Sequence, residues 1–132
     1  MTAEHLFDEL KRYVGFTFDD EKRLSAMFPR LEPHFQAIID DFYAHILNHS
    51  GARSAITGGD AQVERLKGTL VVWLGRVFRG PWDHAYFEQS ARIGRRHVQI
   101  SLPQQYMFTA VDVIRVYITG LLFQMDLAAQ EK

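Results

Sequence analysis

From Phe35 onward, Ile38, Ile39, Phe42, Tyr43, Ile46 and Leu47 fall at offsets of +3, +4, +7, +8, +11 and +12. Only a helix brings that series onto one face, because 3.6 residues per turn stacks those offsets in a stripe whereas a strand alternates. The stripe is wide and aromatic, so it must be covered by other elements, and Tyr43 is buried with it.

The same period recurs along the chain. Ala3 to Val14 predicts a short amphipathic helix with Leu6, Phe7, Leu10 and Val14 on one side, closed by Gly15. Thr17 stands three residues before Asp20, a capping-box arrangement that opens a helix through Leu24, Met27 and Phe28. Pro29 and Pro33 are expected to bracket a break. Residues 48–59 read as a loop closed by Gly58-Gly59, and Asp60 as the N-cap of a helix over 61–79. On that helix Leu66, Thr69 and Trp73 share one strip. Gly80 and Pro81 end it, and Asp83 caps a helix leading to His97. Pro103 begins a last long helix through Tyr106, Ala110, Val113, Ile114, Tyr117, Leu121 and Met125, ending near Lys132. No segment shows the period-two alternation of a strand, so the fold class is all-α with about six helices.

At 132 residues the chain is read as one domain, 1–132, able to bury its own core. Fifteen Lys and Arg against sixteen Asp and Glu argue against nucleic acid or an anionic membrane as the main partner. With no cysteine, thiolate metal sites and cysteine nucleophiles are excluded, and a reducing, cytoplasmic compartment is expected. Met107 to Phe123 is the most apolar stretch, but Asp112 and Arg115 interrupt it, so no transmembrane span is expected. Ten Phe, five Tyr and two Trp imply a large aromatic core, and the same lining suits a flat apolar cofactor.

The candidate site centres on His97, at the end of a stripe formed by Tyr86, Ser90, Ile93 and His97. Read alone, it is either a hydrogen-bonded core histidine or a ligand aimed at something bound inside. Tyr43 and Thr69, on the two preceding long helices, offer hydroxyl donors; each also has a local explanation, a bond to backbone or to its own helical turn. Arg92, Arg95 and Arg96 suit the C-terminal end of a helix dipole, or pair with an anionic group such as a haem propionate. Asp19-Asp20 and Asp40-Asp41 fit helix-start charge and a solvated face better than acid–base catalysis. His34, His45, His49 and His84 have no metal-binding spacing with carboxylates and are expected at the surface.

Taken in order, Phe42-Tyr43, then Leu66, Thr69 and Trp73, then Ile93-Gly94-Arg95-Arg96-His97, then Ile100-Ser101-Leu102-Pro103 and Tyr106 form a set. With it the chain resembles the haem sensor domain of the globin-coupled oxygen sensors, relatives of protoglobin, and most of all those attached to histidine kinases. The resemblance covers nearly all of the chain. It implies a globin-like fold around haem b, with His97 as the proximal iron ligand and Tyr43 as the distal hydroxyl that hydrogen-bonds O2. Leu66 is then over the distal face and Thr69 is a second donor, while Phe42, Trp73, Ile93, Arg96, Ile100, Leu102 and Tyr106 contact the cofactor. The implied function is a sensor of O2, or of CO, NO or redox state, that is no enzyme itself and regulates a C-terminal output domain such as a histidine kinase. The long last helix would form a homodimer. After His97 only 35 residues remain (132 minus 97), enough for one long helix where the family has a further one. Two rival classes are a haem enzyme of the peroxidase or nitric oxide dioxygenase type, alongside a simple O2-binding globin, and a haem-free helical interaction module. A Soret band separates the last from the others.

Overall fold

Helix follows helix along the chain, joined by short connections that contain Gly15, Gly58, Gly80, Pro81 and Pro103. The computed structural model describes residues 3–130. Its helices are α1 (Ala3–Val14), α2 (Phe18–Leu31), α3 (Phe35–Leu47), α4 (Ser50–Arg53), α5 (Gly59–Arg79), α6 (His84–Gln99) and α7 (Gln104–Gln130), with a 3-10 turn over Glu32–His34. Among the described residues there is no strand. Lys132, near which the last helix is expected to end, lies outside them.

The chain divides into two compact units, and α5 contributes one half to each. The first unit, Met1–Pro33 with Thr69–Ser101, buries Leu31, Leu74 and Phe78. Phe7 of α1 stacks at 5.9 Å on Tyr86 and 5.2 Å on Phe87 of α6, and Lys11 Nζ donates to the Trp82 carbonyl at 3.0 Å. At the α5–α6 corner Gly80 has φ +69°, and a Cβ there would lie 2.7 Å from the Trp82 ring, so both backbone and space require glycine.

The second unit, His34–Gly68 with Leu102–Lys132, buries Phe35, Ile38, Ile39, Tyr43 and Val63. The α3 stripe is therefore the core of this unit, where it packs on α4 and α7. Beside it Lys67 Nζ reaches Asp40 Oδ1 at 3.0 Å, and Gln36 Nε2 donates to the same oxygen at 2.9 Å. These bonds, Lys67 foremost, hold the Asp40 carboxyl below the usual carboxylate range.

Several local expectations change. Pro29 does not break α2, which runs on to Leu31. The missing N–H costs one bond near the helix end, and the following turn still closes through Glu32 N–H to the Phe28 carbonyl. Residues 48–59 are not all loop, because α4 forms there. Its N-cap is His49, whose Nδ1 accepts from Ala52 N–H at 3.3 Å, an acceptor outside the usual capping set. Asp60 is not the N-cap of α5 but lies in its first turn, and Gln62 Oε1 accepts from Gly58 N–H at 2.6 Å. The Tyr86, Ser90, Ile93 and His97 stripe is half-buried.

On α7, Phe108, Val111, Val116 and Phe123 are exposed. By length and composition Gln104–Asp126 is sufficient to cross a bilayer, so Asp112 and Arg115 do not exclude a span as the sequence suggested. Those two charges pair with each other at 3.1 Å.

Candidate functional site

Asp83 starts α6 as expected, its Oδ1 accepting from Tyr86 N–H at 3.1 Å. That bond, and then the Arg76 guanidinium 3.0 Å away, hold its carboxyl below the ordinary range. Arg76 also donates to the Pro81 carbonyl at 2.9 Å, which ties α5 to the start of α6. One turn on, Ser90 Oγ accepts from Trp73 Nε1 of α5 at 3.5 Å and hydrogen-bonds Tyr86. These contacts set the rotation of α6 against the second half of α5.

The end of α6 carries His97, half-buried, with Nδ1 2.7 Å from the Ile93 carbonyl. A carbonyl only accepts, so Nδ1 holds the proton and the lone pair of the neutral ring is on Nε2. Among the described residues Nε2 makes no bond. A lone imidazole holds only a metal that brings most of its own ligands, and no group of three His, Cys, Asp or Glu comes together among the described residues.

Ile93 also lines a cavity of about 350 Å³ within the first unit. Thr69, Val72 and Trp73 of α5 and Gln89, Arg92 and Ile93 of α6 line it, and it is open to solvent on one side. Gln89, Ile93 and His97 stand at i, i+4 and i+8 and so share one face of α6.

In the second unit Tyr43 is 8% exposed, and burial pushes its phenol above the usual tyrosine pKa, so it stays a neutral donor. The Phe42 ring meets its edge at 5.1 Å. Its hydroxyl has no hydrogen-bond partner among the described residues, and although the ring is buried the oxygen itself keeps some access to solvent, since no fully buried side-chain oxygen there is left unpaired.

Within the first unit, an apolar groove and an imidazole with a free Nε2 lie on the same helix, a set whose chemistry fits a haem; Tyr43 belongs to the second unit. Of the other residues the resemblance points to, Thr69, Trp73 and Ile93 come together on the cavity. Leu66 and Leu102 are half-buried, Ile100 is 41% exposed, and Arg96 is exposed and away from the cavity lining. Tyr106 meets α4 instead: its ring is 5.3 Å from that of His49, and its hydroxyl closes on Gly51. Sequence reasoning did not single out Gln89 and Val72, because nothing local distinguishes a half-exposed polar or aliphatic residue that borders a cavity.

The sequence profile described as Protoglobin matches residues 3–132. A heme-based aerotactic transducer, HemAT, of Halobacterium salinarum is 32% identical over 111 residues, which are 83% of this chain and 22% of the transducer. The chain thus spans about a fifth of the length of that relative. Among solved structures, the globin domain of the Geobacter sulfurreducens globin-coupled sensor superposes with a TM-score of 0.81 at 26% identity, covering 89% of this chain and 76% of that one. Helical throughout, similar in fold to a sensor globin and matched almost end to end by the family profile, the chain belongs to the protoglobin family, on its globin-coupled sensor side.

Proposed function

We propose that this chain is a haem-based gas-sensing domain, with His97 as the iron ligand and Tyr43 as the hydrogen-bond donor to O2. The observation that carries the reading is the His97 tautomer, since the Ile93 carbonyl fixes the proton on Nδ1 and leaves Nε2 as the metal-binding nitrogen. When bound, haem b supplies a ferrous iron that takes up O2, CO or NO. The chain's own residues do the rest. Val72, Trp73 and Ile93 give the groove its apolar wall, and Ile93 orients the imidazole. Tyr43, neutral because burial disfavours its phenolate, favours a ligand with partial negative charge such as O2 over CO.

The domain is read as a non-enzymatic module that acts on an output domain, such as a histidine kinase, in the cytoplasm. The match to a fifth of an aerotactic transducer supports the modular reading. The exposed apolar side chains of α7 support a homodimer through that helix, and the Asp112–Arg115 pair on it supports a bundle helix over a membrane span. A ligand-dependent shift of α6 is the step that would pass the signal on.

The test is the absorption spectrum of the purified chain, ferric, ferrous and O2-exposed. A strong Soret band with a histidine-ligated ferrous form, abolished in His97→Ala, is the expected result. No Soret band after addition of haemin, or an unchanged iron–histidine signature in His97→Ala, overturns the assignment.

A further inference from the structure

We infer that α1 is a clasp on α6 whose docking follows the occupancy of the α5–α6 groove, with Ser90 as the positioning residue that links the two. The inference rests on the proposed haem reading and extends it to regulation of the same site. All the residues involved belong to the first unit.

Trp73 forms part of the groove wall and commits its one polar group to Ser90 Oγ, 3.5 Å away. The Ser90 hydroxyl, an acceptor towards Trp73, is free to donate its own proton, and it hydrogen-bonds the Tyr86 phenol one turn earlier. The Tyr86 ring is in turn one side of the seat for Phe7 of α1, at 5.9 Å, and Phe87 is the other, at 5.2 Å. Two hydrogen bonds and one ring contact therefore lead from the groove to α1.

Little holds α1 in place, and that makes it responsive. Phe7 and Lys11 are its only described side chains that are not exposed, and Lys11 adds a single bond to the Trp82 carbonyl at 3.0 Å. Leu6, Leu10, Tyr13 and Val14 are exposed, Tyr13 at 87%. A helix of 12 residues is marginal by itself, so α1 depends on its seat and has two states, docked and released. With the groove empty, the Trp73 indole has room to leave its rotamer and its bond to Ser90. A flat ring packed against the indole removes that freedom. The Tyr86 ring is then held where Phe7 docks, and filling the groove favours the docked state.

The experiment is hydrogen–deuterium exchange of the full chain, with and without bound haem, in wild type, Ser90→Ala and Tyr86→Phe. Both variants cut the hydroxyl chain, and Tyr86→Phe keeps the ring on which Phe7 rests. In wild type haem is expected to slow exchange of the α1 amides about fivefold or more, the scale of a modest coupling between sites. In both variants the α6 amides should still slow, while those of α1 change less than about twofold. A haem-loaded wild type, shown by its Soret band, whose α1 exchanges as in the haem-free chain overturns the clasp and leaves the haem reading standing. Slowing of α1 in either variant as large as in wild type overturns the link through Ser90. A wild-type chain that takes up no haem removes both readings.

Discussion

The imidazole Nδ1 of His97 and the carbonyl oxygen of Ile93 lie 2.7 Å apart, one turn from each other on α6. The bond is local to the helix, so the ring is oriented by the backbone before anything binds. It also joins the imidazole to a residue of the cavity wall, which couples the position of one to the other.

If that ring is the iron ligand, then removing it while leaving the helix intact should be reversible by chemistry. His97→Gly is expected to lose the Soret band and to regain it when free imidazole is added in the presence of haemin. Rescue by imidazole distinguishes a lost ligand from a collapsed fold, since imidazole repairs only the former. Titration of the Soret band with imidazole is the measurement.

Tyr43→Phe separates ligand chemistry from stability. The hydroxyl bonds no described residue, so its removal leaves no protein group unpaired, and the denaturation midpoint is expected to change little. Release of O2 should quicken roughly tenfold, corresponding to about 1.5 kcal/mol for a buried hydrogen bond, while release of CO changes less. Flash photolysis and stopped-flow mixing read both rates. Because burial raises the phenol pKa, the donor stays protonated below the ordinary tyrosine value, and the O2 off-rate should not vary with pH there.

The close contact between Gly51 and Tyr106 decides the sign of a helix-favouring substitution. On propensity alone Gly51→Ala gains about 1 kcal/mol in α4. A Cβ at Gly51, however, runs into the Tyr106 hydroxyl and lies 3.0 Å from Cζ and 3.2 Å from His49 Cε1. We expect a net loss of about 1–2 kcal/mol, as overpacking gives, and a smaller loss in the Gly51→Ala, Tyr106→Phe double variant. Urea denaturation of the two variants and wild type checks it.

Asp83→Asn tests the start of α6. Asparagine keeps an acceptor for Tyr86 N–H but loses the charge that faces Arg76. The folded state lowers the pKa of Asp83, so its contribution is present above the unfolded carboxylate range and disappears as pH falls through the lowered value. Wild type should therefore exceed the variant in stability at neutral pH, and the two curves should converge as pH falls through the lowered carboxyl pKa. Urea midpoints across that range decide it.

Much of the fold was legible from short-range patterns. The α3 stripe, the Thr17–Asp20 capping box and the Asp83 cap all depend on residues within a turn or two of one another, and each forms in the structure. Burial of Tyr43 followed from the same logic, because a residue in the middle of a wide apolar stripe has nowhere else to go. Pro29 and the segment 48–59 were misjudged for the converse reason. A helix tolerates a proline two residues before its end, and an imidazole accepts from a free N–H when the turn brings it there, neither of which general preference reveals.

The amino-acid order alone determined the six longer helical segments, where most of them start, and that His97 and Tyr43 stand out, since periodicity and capping act between near neighbours. The tertiary structure decided which side chains meet across helices. It put Arg92 rather than Arg96 on the cavity, turned Tyr106 towards α4, linked Arg76 to Asp83, and left the Tyr43 hydroxyl without a partner among the described residues. Those outcomes depend on how one helix is rotated and set along another distant in sequence; Arg92 and Arg96 share a face of α6 at i and i+4, and only their place along the axis decides which borders the α5 groove.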